Sequence, residues 1–441
     1  MSGALPPERP ALAPAADAPL GDWLTWIAAQ HPQTIALGLD RVREVAERLQ
    51  LPPKPAPLTL LIAGTNGKGS SLAYLRSILG AAGLRVASYL SPHLLDFRER
   101  LQLGADYASA LQWTDALARV EAARRGTPLT YFEASTLAAL CLIAQSPIDA
   151  AILEVGLGGR LDAVNLVDAD AQLITTIDLD HQAWLGTDRE TIGAEKAGVL
   201  RPGRAAVYAD LDAVRSIPAH ARQLGAPLQL AGVDYRCMPD VSGFTLTLSN
   251  GETLRLPLPA LAGAMQIHNA AACVVLLEAL RDRWPRTPEA YATGLRQARM
   301  PGRLQRIRTQ PPITVDVAHN PQAARALASW LATQSGPVHA VFGLLDDKDL
   351  GGVLDPLLPH IARWYCVSLD PISPRGRPAP ALLHALQAAG AAASAHLDVE
   401  SGLQAALAAL PPNGQIIVFG SFLTVEGGLR ACGITAIPPL P

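Results

Sequence analysis

Residues 58–71 read LTLLIAGTNGKGSS. An apolar run, Leu58, Leu60, Leu61 and Ile62, has the character of a buried parallel strand; it breaks at Gly64 and passes into a glycine-punctuated loop, Gly64-Thr65-Asn66-Gly67-Lys68-Gly69-Ser70-Ser71. Leu72, Leu75, Leu79 and Ala82 then recur at helical spacing, with Gly83 placed for a C-terminal cap. A strand, a Gly-rich loop carrying a lysine and hydroxyls, and a helix make a phosphate cradle. Backbone N–H groups and the helix N-terminus face the anion, and Lys68 adds a point charge. The spacing is tighter than G-x-x-x-x-G-K-[ST], with Gly64 three residues before Gly67 and Gly69 after the lysine, so a plain glycine turn is the competing reading.

At 441 residues the chain is long enough for two or three domains, each with its own core. The formal net charge is −3 and the pI near 6.4, which speaks against a polyanion-binding surface and so against nucleic acid as a partner. Five cysteines, Cys141, Cys237, Cys273, Cys366 and Cys432, are scattered and form no C-x-x-C pair. They read as reduced, packed residues of a cytoplasmic protein rather than a disulfide framework or a zinc site. Residues 1–20 are rich in Ala and Pro without an apolar segment behind a basic start, so a loose, disordered tail is expected in place of a signal peptide or anchor. The longest apolar stretch, 137–155, is broken by Gln145, Ser146, Pro147, Asp149 and Glu154; a buried helix, turn and strand tolerate this and a membrane span does not.

Residues 21–50 read as helical, from Trp23, Leu24 and Ile27 through VREVAERLQL, and Pro52, Pro53, Pro55 and Pro57 connect them to the strand. Beyond the loop come a strand at 85–89, helices at 108–124 and 132–144, and strands at 150–155 and 172–177. A short helix at 188–197 has Thr187 and Glu190 placed as a capping box and Gly198 after its end. From 203 to 259 short alternating runs, FTLTLSNG and ETLRLPLP, predict a small hairpin region, and a helix follows at 269–281. A boundary is expected near 299–303, because a new strand series begins there: ITVDVAH (313–319), VHAVFGLL (338–345), WYCVSL (364–369) and QIIVFGSF (415–422). The fold class expected is α/β, with an N-terminal P-loop domain on a parallel sheet at 21–300 and a smaller Rossmann-like domain at 301–441.

Polar residues stand where apolar strands end, the place where open α/β sheets bind ligands. These are Ser91, Glu154 and His181. A hydroxyl, a carboxylate and an imidazole around a phosphate loop suit Mg²⁺, which takes few protein ligands and completes its shell with phosphate oxygens and water. Against this, a serine before proline is commonly a turn former, a strand-end Glu a surface ion pair and a lone His a loop residue. Gly156, Gly158 and Gly159 do not make a dinucleotide fingerprint, because Leu161 stands at the third glycine; they read as positions where backbone passes close to a ligand. Lys196, in the last turn of its helix, reads most simply as a partner of the helix C-terminus. Arg303 and Asp316 suit nucleotide recognition from across a cleft, and Asn320 before Pro321 equally suits a helix cap.

Taken together, TIALGLDRV (34–42), AGTNGKGS (63–70), SPHL (91–94), TYFEASTLAAL (130–140), ILEVGLGGRLDAVN (152–165), LDHQAWLG (179–186), IGAEKAGV (192–199), HNAAA (268–272), PGRLQ (301–305), DVAHNP (316–321) and GSF (420–422) resemble the folylpolyglutamate synthase family of the Mur-ligase superfamily. The eleven segments are co-linear with the family's, over roughly residues 25 to 425. The resemblance implies a Mur-ligase-type ATPase domain followed by a glutamate-ligase domain. It implies an ATP-dependent ligase that converts dihydropteroate or a reduced folate to an acyl phosphate and lets the amine of L-glutamate displace phosphate, with ATP and two Mg²⁺ as cofactors and a monomer as the expected state.

Position by position, the resemblance places Gly64, Thr65, Asn66, Gly67, Lys68, Gly69 and Ser70 on the ATP phosphates, Asn269 at the adenine, and Arg303 and Asp316 on nucleotide from across the cleft. Ser91 and Glu154 would hold one Mg²⁺, and His181 would join Glu154 at a second. Lys196 matches a lysine that is carbamylated in the family. Thr34, Ile35, Ala36, Leu37, Thr130, Tyr131, Phe132, Glu133 and Leu161 match pterin-contacting positions, with Ala36 where bifunctional members often carry Asp. His319 and Ser421 are further cleft residues. Two other readings stay open: a folylpolyglutamate synthase without the dihydropteroate activity, and a P-loop nucleotide switch without ligase turnover.

Overall fold

Leu58–Ala63 (β1) is buried along its whole length, because helices cover both faces of its sheet; an unbroken apolar run is what such a strand requires. The computed structural model describes residues 12–33 and 35–441. The other strands of this sheet are Val86–Tyr89 (β2), Leu101–Leu103 (β3), Asp106–Tyr107 (β4), Ala150–Glu154 (β5), Ala171–Ile174 (β6), Ala205–Tyr208 (β7) and Leu228–Leu230 (β8). Their order is β4-β3-β2-β5-β1-β6-β7-β8, parallel except for β3 and β4 at one edge.

Arg236–Asp240 (β9), Gly243–Thr247 (β10) and Thr253–Pro257 (β11) make a separate antiparallel sheet. The hairpin expected over 203–259 is therefore confined to its second half. β7 and β8 pair in parallel with the main sheet, and Val207 and Tyr208 are buried there.

Gln305–Thr309 (β12), Pro312–Asp316 (β13), Val338–Phe342 (β14), Arg363–Val367 (β15), Ala393–His396 (β16) and Gln415–Phe419 (β17) form the third sheet, ordered β12-β13-β17-β14-β15-β16, with β12 alone antiparallel. β12 and β16 were not legible as strands. They lie at the two edges, where little of the chain is buried and QRIRT and ASAH carry no apolar run.

The phosphate-loop helix spans Lys68–Ala81, and Gly83 follows its end at φ +89°, as a C-terminal cap requires. The helix Arg189–Ala197 starts differently from the sequence expectation. Its cap is Asp188, which accepts from Thr191 N–H, while Glu190 accepts the backbone N–H groups of Arg215 and Ser216. Residues 1–11 of the expected tail lie outside the described residues; at Ala15 the carbonyl accepts from the Trp23 indole at 3.1 Å. Near the other end, Leu440 packs back onto the first sheet, exchanging hydrogen bonds with Gln102 at 2.8 and 2.9 Å. Among the described residues no helix is long and apolar enough to cross a membrane.

Candidate active site

The carboxyl ends of four adjacent strands, β2-β5-β1-β6, deliver Ser91, Glu154, the loop from Gly64, and the segment Asp178–His181 to one place. The carboxyl ends of β13, β17 and β14 deliver His319, Ser421 and Lys348 from the other side. Both sheets thus present their ligand-binding edge to a single cavity of about 880 Å³.

Gly64 is at φ +142°, and a Cβ there would stand 1.8 Å from Thr175 Oγ1, so only glycine lets the chain leave β1 beside β6. Lys68 Nζ donates to the carbonyls of Gly64 at 3.0 Å and Thr65 at 3.2 Å, curling back over the loop. Lys196, buried, places its Nζ 3.0 Å from the same Gly64 carbonyl. This replaces the reading of Lys196 as a helix-end partner: its side chain reaches the phosphate loop. Burial, reinforced by the charge of Lys68, lowers its pKa to about 7. Lys68 is lowered by burial too, against the pull of Glu154 and Asp180.

Glu154 is only 6 % exposed; burial pushes its pKa up to about 7, opposed by Lys68, Arg303 and the backbone N–H of Ser91. His181 sits in the left-handed region at φ 52°, a conformation rare outside glycine, and burial lowers its pKa to about 4, leaving a neutral imidazole with a free lone pair. Among the described residues no three His, Cys, Asp or Glu side chains converge to hold a metal on their own. A buried carboxylate, a hydroxyl and a neutral imidazole at the mouth of a phosphate loop nonetheless fit Mg²⁺, since that ion needs few protein oxygens beside substrate phosphate and water.

The cavity wall includes Ile35, Ala36, Leu37, Thr130, Tyr131, Phe132, Glu133 and Leu161 on one side and Arg303, His319 and Ser421 on the other. Thr34 lies outside the described residues. Arg303 makes a cation–π contact with Phe422 at 5.6 Å. Three expected residues are not brought to the wall. Asp316 accepts from Leu304 N–H and Ala318 N–H behind Arg303; Asn269 packs under Gly67, whose Cβ would lie 2.9 Å from its Oδ1; Ser70 is buried against Gln266. Of the expected glycines, Gly159 packs on the backbone of Glu195 and Lys196 away from the cavity wall, while Gly156, against Phe132, and Gly158 line the cavity.

Sequence reasoning missed a polar set that bridges the cleft. Asp180 accepts from Lys348 and, at 3.1 Å, from Asn320, with His319 Nε2 at 3.4 Å. Burial alone would raise this carboxyl, yet the hydrogen bond from His319 and the charges of His319 and Lys348 hold it well below the usual range. Arg325 pairs with Asp178 beside it. The charged runs LDH and DDKD were the available signal; only the fold shows that they face each other.

Two parallel sheets meeting edge to edge over a phosphate loop, with lysines, an arginine and a buried carboxylate between them, define a Mur-ligase-type ATP-dependent ligase. A family model described as Mur ligase, glutamate ligase domain, matches residues 302–422. The chain is 40% identical over 419 residues to the dihydrofolate synthase/folylpolyglutamate synthase of Escherichia coli (strain K12), covering 93% of this chain and 95% of that one, and 35% identical over 432 residues to its Haemophilus influenzae counterpart, covering 93% and 97%. The structure matches E. coli FolC in complex with DHPP and ADP with a TM-score of 0.89 at 40% identity, over 95% of this chain and 99% of that one. It matches a bifunctional folylpolyglutamate synthase/dihydrofolate synthase with Mn, AMPPNP and L-glutamate bound at 0.87 and 42% identity, over 96% and 100%. The chain belongs to the dihydrofolate synthase/folylpolyglutamate synthase family and is an ATP-dependent acid–amino-acid ligase.

Proposed function

We propose that this chain joins L-glutamate to dihydropteroate, giving dihydrofolate, and then to reduced folates, each time through an acyl phosphate made with ATP. The observation that carries the reading is the convergence of Lys68, Glu154, His181 and Lys196 with Arg303 and His319 at one cavity. The acid carboxylate attacks the terminal phosphorus of ATP, ADP leaves, and the neutral amine of glutamate then attacks the acyl carbon. Phosphate leaves with the C–O bond electrons and the amine loses its proton. Lys68 and Arg303 neutralise charge that spreads over the transferring group, and the loop amides from Gly64 to Ser70 fix the phosphates. No protein nucleophile is required.

Ser91 and Glu154 would hold one Mg²⁺, and Glu154, His181 and Lys196 as a carbamate a second; when bound, the ions neutralise phosphate oxygens. A carbamate forms only on a neutral amine, and the lowered pKa of Lys196 provides one near pH 7. Asn269 and Asp316 support the nucleotide site from behind Gly67 and Arg303. Ile35, Ala36, Leu37, Thr130, Tyr131, Phe132, Glu133 and Leu161, with Thr34, receive the pterin end. Residues 21–300 carry ATP and the acid and residues 301–441 carry glutamate, in a cytoplasmic monomer.

The test is phosphate release with ATP and glutamate plus either dihydropteroate or tetrahydrofolate. Turnover with both is expected. Turnover with the folate alone would remove the dihydropteroate step, and none with either would remove the ligase reading.

A further inference from the structure

Among the described residues, most enclosed guanidinium groups spend their donors on the protein itself; besides Arg303, already placed on the nucleotide, Arg100 leaves its terminal nitrogens unspent. Arg76, 4 % exposed, gives its donors to the carbonyls of Leu440, Val86 and Gly104. Arg201 is spent on Asn165, Val167, Val199 and Leu200. Arg41 pairs with Glu133. Arg100 is 8 % exposed and donates through Nε alone, to His93 Nδ1 at 3.0 Å. Its two terminal nitrogens bond to none of the described residues, and no carboxylate of those residues lies within ion-pair distance. Two acids of the same segment are committed elsewhere: Asp96 pairs with Arg98, and Glu99 accepts the N–H groups of Leu94, Leu95 and Asp96.

The guanidinium is also held still. It lies 5.3 Å from the centroids of both Phe97 and Tyr131, and Phe97 packs on Trp113 at 4.6 Å. His93 accepts at Nδ1, so it orients the group without cancelling its charge. Arg100 lines the cavity with Tyr131 on the acid side, while Leu94, six residues before it, packs into the core of the third sheet. An uncompensated, buried and immobilised guanidinium with two free parallel donors suits bidentate capture of a carboxylate.

We propose that Arg100 is the receptor for a non-reacting carboxylate on the glutamyl part of a substrate. This rests on the ligase reading above. The carboxylate has two possible sources, the α-carboxylate on a folate's glutamyl tail or a carboxylate of the incoming glutamate. Dihydropteroate carries no spare carboxylate, and that difference separates the two.

The experiment compares wild type, R100K and R100M in phosphate-release kinetics with dihydropteroate or tetrahydrofolate, with ADP titration to verify that the nucleotide site is intact. If the receptor serves the tail, R100M raises KM for tetrahydrofolate about 10- to 100-fold, the loss of a charged bidentate contact, and leaves dihydropteroate and glutamate unchanged. If it serves incoming glutamate, KM for glutamate rises by the same factor with both acids. R100K keeps the charge but not the fork and falls between; it decides the matter if R100M does not fold. Unchanged KM values for both acids and glutamate in R100K and R100M, or a change confined to ATP, overturn the assignment while wild-type turnover leaves the ligase reading intact. A wild type silent with both acids overturns both.

Discussion

The side-chain amides of Asn66 and Asn320 pair head to tail, each Nδ2 donating to the other's Oδ1 at 3.0 Å. Asn66 belongs to the phosphate loop, and Asn320 caps the helix Pro321–Leu331 by accepting from Ala323 N–H. Gln322, two residues on in the first turn of that helix, accepts from Asn66 at 2.6 Å and from Thr176 at 2.8 Å. The glycine-rich loop is therefore tied by hydrogen bonds to the opposite lobe, which gives the two halves of the site a common register.

Replacing Asn66 by Ala should lower kcat/KM about 10- to 100-fold, the value of one or two hydrogen bonds left unmade in a buried setting, while ADP affinity changes by less than about threefold. N320D retains the helix cap yet can donate neither to Asn66 nor to Asp180, whose carboxylate it would face, and should show the same kinetic loss together with a lower melting temperature. Steady-state phosphate release and ADP titration read both. An equal loss of ADP affinity would mean that Asn66 serves the nucleotide and not the lobes.

The Asp180–Lys348 ion pair crosses the cleft with both side chains buried, at 8 % and 5 % exposed. D180N leaves an ammonium without its partner and should destabilise by about 3–5 kcal/mol, seen as a lower melting temperature; D180N combined with K348M should recover a large part of it. Because the Asp180 carboxyl titrates well below its unfolded value near 4, its contribution is fully present above that pH and is lost only as pH falls further. Stability attributable to this pair should be flat from pH 5 to neutrality. A transition near pH 6 that D180N abolishes would contradict the assignment.

For Lys196, the pKa near 7 sets the sign of a pH effect. As pH rises through about 7 the amine loses its proton in the folded protein, so reaction with CO₂ should speed up and then level off, a dependence an ordinary lysine shows only near pH 10. ¹³C NMR of protein in labelled bicarbonate would show the carbamate carbon, absent in K196A. K196A should lose turnover by at least about 100-fold and regain part of it with a small carboxylic acid. Full activity in K196A would remove the carbamate from the site.

What the sequence showed and what it hid follow from the range of the interactions. The strand at 58–63, the glycine loop and its helix were legible because apolar run, turn and periodicity are all local. The local reading of Lys196 as a helix-end partner fell short, and only the family resemblance put it at the site, because the group it meets, the Gly64 carbonyl, is 132 residues away in the chain and a helix-end lysine has an ordinary local explanation. Asp180 and Lys348, separated by 168 residues, had no local signal beyond their charge. Asp188 displaced Thr187 as the cap because Glu190 had a better use, the two free N–H groups that open the helix Ser216–Leu224. β7 and β8 were folded into the hairpin because strands of four and three residues show too little of either periodicity to separate an interior strand from an exposed one.

Gly64 carries the sharpest test of the loop's geometry. At φ +142° an L-residue is strained, and the 1.8 Å approach to Thr175 Oγ1 is with a side chain that itself donates to the Ala63 carbonyl at 3.2 Å and cannot swing aside without breaking that bond. The same carbonyl row positions Lys68 and Lys196, both of which donate to Gly64 O. G64A should therefore displace both lysines, reducing ADP affinity and turnover together by at least about 100-fold. The double variant G64A/T175G gives the new methyl room and should restore part of the affinity, leaving only the strain of the backbone. Calorimetric ADP titration of the three proteins measures this; wild-type affinity in G64A would show that the loop leaves β1 by a different path.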